Sequence, residues 1–414
     1  MNKLVTTTLG EVTNNYDNVR IPLSVKQRET IAKKYRYYGA QGVIDYVDNY
    51  LFDGEYILVA EDGENLKSQN YYICNFVTGR FWVNNHAHII NASNGHDTKY
   101  LYYKLSLVNF RNYVTGSAQP KLTKDNLNSI VLHLHRESEQ QKIAAVLSAL
   151  DAKIDCNNRI NAELEAMAKT LYDYWFVQFD FPFDFAAGKP APNGKPYKSS
   201  GGKIVYNPTL KREIPAGWKD SNILAVAYLL GGGTPTKKKT EYWHGDIPFF
   251  TPTDADGAIF KFSTADSITE EGLKKSSTKL FAKNTVFITA RGSVGKLVLA
   301  GVDMAMNQSC YALSAKPGIS HTYLFFLAKE LIHHLEVKSS GSVFDSIVSN
   351  DIEFTRLAIP DTTVVEKYAA VVEPAFKRIA ANTQENQHLT KLRDWLLPML
   401  MNGQVTVAEV EAGS

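Results

Sequence analysis

The run Ser138–Trp175, SEQQKIAAVLSALDAKIDCNNRINAELEAMAKTLYDYW, decides the fold. Ile143, Val146, Leu150, Ile160, Leu164, Met167, Leu171 and Tyr174 step along it by threes and fours, the seam of a helix that pairs with another helix. Ser138 with Gln141 three places on reads as a capping box at its start. Phe181-Pro182 follows the seam, and proline cannot continue a helix. About 40 residues at roughly 1.5 Å each make a rod of about 60 Å, too long for one element of a compact core.

A second copy lies 225 positions later. There Ser138/Gln141 becomes Thr363/Glu366, and the seam becomes Tyr368, Val371, Ala375, Leu389, Leu392, Leu396 and Met399. Polar interruptions coincide as well: Lys153 with Arg378, Asn157 with Asn382, Asn161 with Asn386. Upstream, TGSAQPKLTKDNL (Thr115–Leu127) falls on SGSVFDSIVSNDI (Ser340–Ile352) with its Gly-Ser loop. Matching caps, interruptions and loop at one offset read as an internal duplication. Pro374 is expected to kink the second rod.

At 414 residues the chain suggests two or three domains with ample core. Cys74, Cys156 and Cys310 are odd in number and far apart, indicating neither a disulfide scaffold nor a zinc site. No apolar run approaches the roughly 20 residues of a membrane span, and Met1–Gly10 lacks the pattern of a secretory leader. A reducing cytoplasm fits. A net charge of +2 does not by itself announce a nucleic-acid binder.

Residues 1–136 alternate aromatic and β-branched runs with Gly, Asn and Asp, the pattern of a β-rich α+β domain. After the helix region 137–185, Ala186–Gly202 reads as a linker. Residues 203–360 then repeat the first domain's style, and 361–414 hold the second helix. Ile57–Gly63 (ILVAEDG) resembles Phe287–Ser293 (FITARGS), and Val83–Ile90 (VNNHAHII) resembles Met306–Leu313 (MNQSCYAL).

Catalytic signatures are missing. GGGTPTKKKT lacks the Gly-Lys-Ser/Thr ending of a phosphate loop, RGSVGKL has the wrong glycine spacing, and no GxGxxG follows a strand. No Asn/Asp-Pro-Pro-aromatic run of an amino-methylating enzyme is present. Pro360-Asp361 followed by Glu366-Lys367 spaces its carboxylates too closely for a nuclease site. His86/His88, His133/His135 and His333/His334 lack carboxylate or Cys partners in ligand spacing. A reader or scaffold is the reading these residues support. A stand-alone interaction scaffold and an enzyme with a cryptic site remain the alternatives.

The stretch from Gln140 through the central helix to FPFD, and then GKPYKSSGGKIVYNPTLKREIPAGW, resembles the specificity subunit of type I restriction–modification systems. YYGAQGVIDYVDNYLFDGEYILVAEDGENL, GGGTPTKKKTEYWHGDIPFFTPTD and the ARGSVG and MNQSC pieces resemble that family's target recognition domains. The resemblance implies an α+β fold: recognition domains at 1–136 and 186–360 (the latter with the linker), and antiparallel spacer helices at 137–185 and 361–414. It implies a subunit with no active site, cofactor or metal of its own. Each domain reads half of a bipartite duplex DNA target, two methyltransferase subunits bringing S-adenosylmethionine dock on it, and endonuclease/translocase subunits join them.

Candidate DNA contacts follow from side-chain chemistry. Lys237, Lys238 and Lys239 beside Thr234 and Thr236 suit phosphates, as do Lys121 and Lys124 near Gly116-Ser117, a solvated loop being the alternative. Arg291, Ser293, Asn307 and Gln308 suit base edges. Their counterparts are read as Glu61-Asp62, able to accept from cytosine N4, and Asn85-His86, with Asn85 and Asn307 as turn caps the equal alternative. Tyr37, Tyr38 and Gln41 lie in an aromatic turn that faces either a groove or the core. Asn157 and Asn382 are expected to meet and fix the helix register at some cost in stability, or else to be solvated.

Overall fold

In the computed structural model, residues 4–69, 73–116, 119–338 and 345–407 are described. Ser117 and residues 340–344 of the paired Gly-Ser loops lie outside them. The first long helix is Glu137–Tyr172, 36 residues, and it runs into a single π turn at Asp173–Val177. The second is Thr362–Met401, 40 residues, continuing through Pro374 without ending. Their lengths are about 54 and 60 Å at the ordinary helical rise.

The expected capping boxes are not what starts these helices. The first begins at Glu137, one residue before Ser138. The second is capped by Asp361, whose Oδ1 accepts the backbone N–H of Thr363 at 2.9 Å and its hydroxyl at 2.7 Å. Those bonds, the backbone one foremost, hold the Asp361 carboxyl below its ordinary range. A carboxylate suits the unpaired N–H groups and positive dipole end there.

The chain forms two compact bodies, one of residues 1–154 and 388–414, the other of 155–387. Both helices are thus shared between bodies instead of standing as separate segments. In the first body the central sheet runs Thr13–Asn15, Ala87–Ala92, Phe52–Ala60, Cys74–Val83, Tyr35–Gly39, Gly42–Val47. Only the Cys74–Val83/Tyr35–Gly39 pair is parallel. In the second body the sheet runs Ala227–Gly231, Cys310–Ala315, Val286–Thr289, Leu297–Ala300, Phe260–Lys261. There only the last pair is parallel. Through five strands the spatial order, the chain order and the strand directions are the same. The outer pair repeats too: Val5–Thr8 with Val131–Leu134, and Lys219–Ser221 with Leu357–Ile359, both antiparallel. The duplication therefore extends from the helices to the sheets.

In each body the two helices pack antiparallel. Ile143, Ala144 and Leu147 share the first core with Leu400 and Met401. Ala168, Tyr172, Trp175 and Phe176 share the second with Tyr368, Val372, Phe376 and Ile379. Positions 225 apart are buried together: Ile143/Tyr368, Ala144/Ala369, Leu147/Val372, Trp175/Leu400 and Phe176/Met401. Part of the expected seam is wrong. Met167 is 68% exposed and Val371 58%, and Tyr174 and Leu392 also face outward. Their neighbours Ala168 and Val372 face in, because one residue turns the helix face by about 100°.

Asn157 and Asn382 are both buried, yet they do not bond each other. Asn157 Nδ2 donates to Asn386 Oδ1 at 2.9 Å and to Glu385 Oε2 at 2.8 Å, while Asn382 Nδ2 donates to Asn161 Oδ1 at 2.9 Å. Asn386 donates to Asn158 at 2.8 Å and Asn161 to Thr383 at 3.5 Å. Exchanging each residue for its partner 225 positions away turns the Asn157–Asn386 bond into Asn382–Asn161. It likewise turns Asn386–Asn158 into Asn161–Thr383. The polar layer is a twofold ladder, one rung on either side of the position where the two asparagines were expected to meet.

Ala186–Gly202 is not a bare linker. Pro182–Asp184, Lys189–Pro190 and Lys195–Pro196 form a three-stranded sheet. Phe181 stacks on Tyr197 at 4.7 Å, and Asp180 accepts the Ser199 backbone N–H at 2.7 Å. Gly194 lies so close to Phe183 that an added Cβ would come within 2.3 Å of its backbone. Polar composition signalled a linker, but the aromatics flanking it supplied a core.

Candidate nucleic-acid interface

The loops leaving one end of each central sheet carry most of the candidate residues. In the second body, Val286–Thr289 leads to Arg291 and Ser293, both exposed, with Gly292 at φ 82° between them. Thr289 Oγ1 donates to Ser293 O and accepts from Lys296 N–H at 3.0 Å, closing the turn. The MNQSC loop lies beside it, Ala290 N–H donating to Ser309 O at 2.8 Å. Asn307 Oδ1 accepts from Ser309 N–H at 3.0 Å, so Asn307 is a turn cap. Gln308 is exposed and accepts from Thr234 Oγ1. Gly232 has no room for a side chain, since a Cβ would sit 2.1 Å from Asn307 O. That contact explains why a glycine run precedes Thr234. Thr251 and Thr253 join the same rim through Phe250, whose carbonyl accepts Asn307 N–H at 3.0 Å. Their only signal in the sequence was FFTPTD, whose chemistry resembles any Thr-Pro turn.

Thr236, Lys237 and Lys238 are exposed, whereas Lys239 is engaged by Tyr242, with Nζ 3.1 Å from the hydroxyl. Arg291 makes no ion pair among the described residues.

The first body places its candidates differently. Tyr37 and Tyr38 are core residues: Tyr37 OH accepts Leu23 N–H at 2.9 Å, and Tyr38 packs edge-on to Phe81. Their strand alternates against two neighbours, so both rings are consumed in packing; Gln41, in the turn beyond, stays exposed. Glu61 is mostly covered and takes Arg20 Nη1 at 2.6 Å and Lys121 Nζ at 3.2 Å. Burial alone would raise its carboxyl, but the Arg20 and Lys121 bonds and nearby positive charge hold it below the usual range. A carboxylate so neutralised is a poor acceptor for cytosine. Asp17, His88 and Arg20 complete the cluster, His88 Nδ1 lying 2.5 Å from Asp17 Oδ2. Arg20 and Asp17 were not singled out, having no motif around them. Asp62 is more open and pairs with His86 Nδ1 at 2.7 Å. The turn cap is Asn84, buried, with its Oδ1 accepting His86 N–H at 2.8 Å, leaving Asn85 exposed. Asn84, not Asn85, thus corresponds to Asn307. Lys124 opens the short helix Lys124–Asn128 and is exposed.

The strand registers correct the residue pairing between bodies. Ala60 and Thr289 end equivalent strands, and Ala87 and Cys310 begin the strands beside them. Arg291 therefore corresponds to Asp62, and Ala290 to Glu61.

A family model for the type I restriction modification DNA specificity domain matches residues 1–166 and again 215–391. The chain belongs to this family. It is similar to the type I restriction enzyme MjaIX specificity subunit of Methanocaldococcus jannaschii, 26% identical over 321 residues, spanning 76% of this chain and 70% of that one. It is also similar to the HindI specificity subunit of Haemophilus influenzae, 25% identical over 328 residues, spanning 69% and 71%. The solved type I S subunit from M. genitalium shares the fold, with a TM-score of 0.61 at 14% identity, over 99% of this chain and 97% of that one. As a specificity subunit the chain serves sequence recognition, and its family is non-catalytic. One family match falls on each structural repeat, and the three-stranded insert after Phe181 lies wholly between the two matches.

Among the described residues no group of three or more His, Cys, Asp or Glu is arranged to hold a metal ion. His135 bonds Tyr100 at 2.8 Å and His133 bonds Thr6 at 3.0 Å, both as structural partners. No helix among the described residues is long and apolar enough to cross a membrane.

Proposed function

We propose that each body reads one half of a bipartite duplex target, and that the antiparallel helix pair sets the number of unread base pairs between the halves. The observation that carries this reading is one five-strand frame built twice with unlike residues on its rim: Glu61, Asp62 and His86 in one copy, Ala290, Arg291 and Ser309 in the other. Half-sites on one face of a duplex recur about every 34 Å, a distance within the reach of helices of about 54–60 Å. Two methyltransferase subunits dock on this twofold-repeated chain and bring S-adenosylmethionine; endonuclease/translocase subunits complete the assembly in the cytoplasm. Lys237, Lys238 and Lys124 contact phosphates.

The test is adenine methylation mapped in cells expressing the cognate methyltransferase subunits with and without this chain. One asymmetric, interrupted motif that appears only with the chain is expected. Methylation of the same motif in its absence overturns the proposal. Lys238→Ala weakens binding to all sequences alike and lowers the salt dependence by about one ion.

A further inference from the structure

We infer that Asp62 and Arg291 are the equivalent base-reading positions of the two bodies, so that one half-site presents a base amine where the other presents guanine. This rests on the DNA-reading proposal above and adds the chemistry of one base in each half.

The equivalence is a matter of backbone. Glu61 N–H donates to His86 O at 2.9 Å and Glu61 O accepts Leu122 N–H at 2.8 Å. In the other body Ala290 N–H donates to Ser309 O at 2.8 Å and Ala290 O accepts Ile347 N–H at 2.9 Å. The next residue makes an isolated antiparallel bridge in both: Asp62 to Lys121, Arg291 to Ser346. Lys121 and Ser346 are 225 positions apart, as are Leu122 and Ile347, the offset of the helices. Asp62 and Arg291 thus leave the same frame at the same place.

Their chemistry is opposite. Arg291 has five donors, no ion pair among the described residues and an exposed side chain, and its fork matches O6 and N7 of guanine. Asp62 has only acceptors. His86 Nδ1 lies 2.7 Å from Oδ2 and orients the carboxylate, and among the described residues nothing bonds Oδ1. A carboxylate near phosphates is repelled unless a donor on the base compensates, which leaves cytosine N4 or adenine N6 as partner. Glu61 is held by Arg20 and Lys121 and serves the frame instead.

The full chain, assembled with its methyltransferase subunits, is used to select from randomised duplexes, and the bound pool is sequenced. Arg291→Ala should make one guanine position indifferent in one half-site, with affinity for the original target down about tenfold to a hundredfold. Asp62→Ala should do the same at a cytosine or adenine of the other half-site, and Asp62→Asn should shift that position towards adenine. In each case the untouched half-site reports that the protein is folded. Equal losses on every sequence, relaxation within one shared half-site, or a relaxed base of the wrong character would overturn the inference while leaving the DNA reading intact. A wild-type pool with no bipartite preference would sink the DNA reading, and this inference with it.

Discussion

The two bodies have one skeleton and two kinds of polar interior. Both place five strands in the same order with the same directions. The first adds the edge strand Gly42–Val47, whereas the second inserts a separate three-stranded sheet of Asp266–Ile268, Trp243–Phe250 and Ala305–Met306. Beneath its rim the first body buries a charged cluster of Asp17, Arg20, Glu61 and His88. The second has Ala290 in place of Glu61, with Thr234, Asn307 and the exposed Gln308 nearby, and its buried Asp254 accepts from the Thr251 N–H and hydroxyl. Backbone hydrogen bonds define the frame in both, so the side chains on it can change without moving it. A duplicated recognition module can therefore diverge in what it reads before it diverges in shape.

The largest expected effect tests whether the bodies are separable. Trp175 and Leu400 occupy equivalent positions, one in each core. Trp175→Ala should cost about 4 kcal/mol and Leu400→Ala about 3 kcal/mol. Hydrogen exchange should assign each loss to its own body; equal loosening of both bodies by either substitution would break the comparison.

Next comes the asparagine ladder, whose halves are symmetric but not equal. Asn157 donates to both Asn386 and Glu385, whereas Asn382 donates to Asn161. Asn157→Leu removes the buried donor to both Asn386 and Glu385 and should cost about 3 kcal/mol, against about 1.5 kcal/mol for Asn382→Leu, which removes one such bond. Denaturant unfolding measures both. The spacer length selected from randomised duplexes should also broaden for Asn157→Leu if the ladder sets helix register.

The charged cluster offers a sharper contrast. Arg20→Ala should cost about 2 kcal/mol by leaving Glu61 half-buried without its closest partner, and the Arg20→Ala/Glu61→Ala double variant should recover part of that loss. Glu61 and Asp17 are both held below the ordinary carboxylate range, although burial opposes it in each. Their stabilisation is present above the unfolded carboxylate pKa and is lost as pH falls through the lower folded values. An acid titration should therefore weaken the wild-type first body more than the Arg20→Ala/Glu61→Ala variant over that window.

The smallest effect has the opposite sign. Burial foremost raises Glu330, outweighing the 2.7 Å bond from Tyr172 OH. A raised carboxyl contributes stability below its unfolded pKa that is lost as pH rises through the folded one. Glu330→Gln, which still accepts from Tyr172, should stabilise the second body at neutral pH by up to about 1 kcal/mol, and the gain should vanish in acid. Thermal unfolding across pH reads it.

The sequence by itself determined the two long helices, their duplication at one offset and the family. Helical period and repeat spacing are one-dimensional properties, legible without neighbours. Only the tertiary structure decided which stripe of each helix is covered: Met167 and Val371 carry the right spacing and face outward, one residue from the buried Ala168 and Val372. It decided likewise that Tyr37 fills a core, that Asn157 pairs with Asn386, and that Glu61 is neutralised by Arg20, distant in sequence. In each case the deciding partner comes from another element, and burial or charge compensation depends on what lies across the contact, which no local pattern encodes.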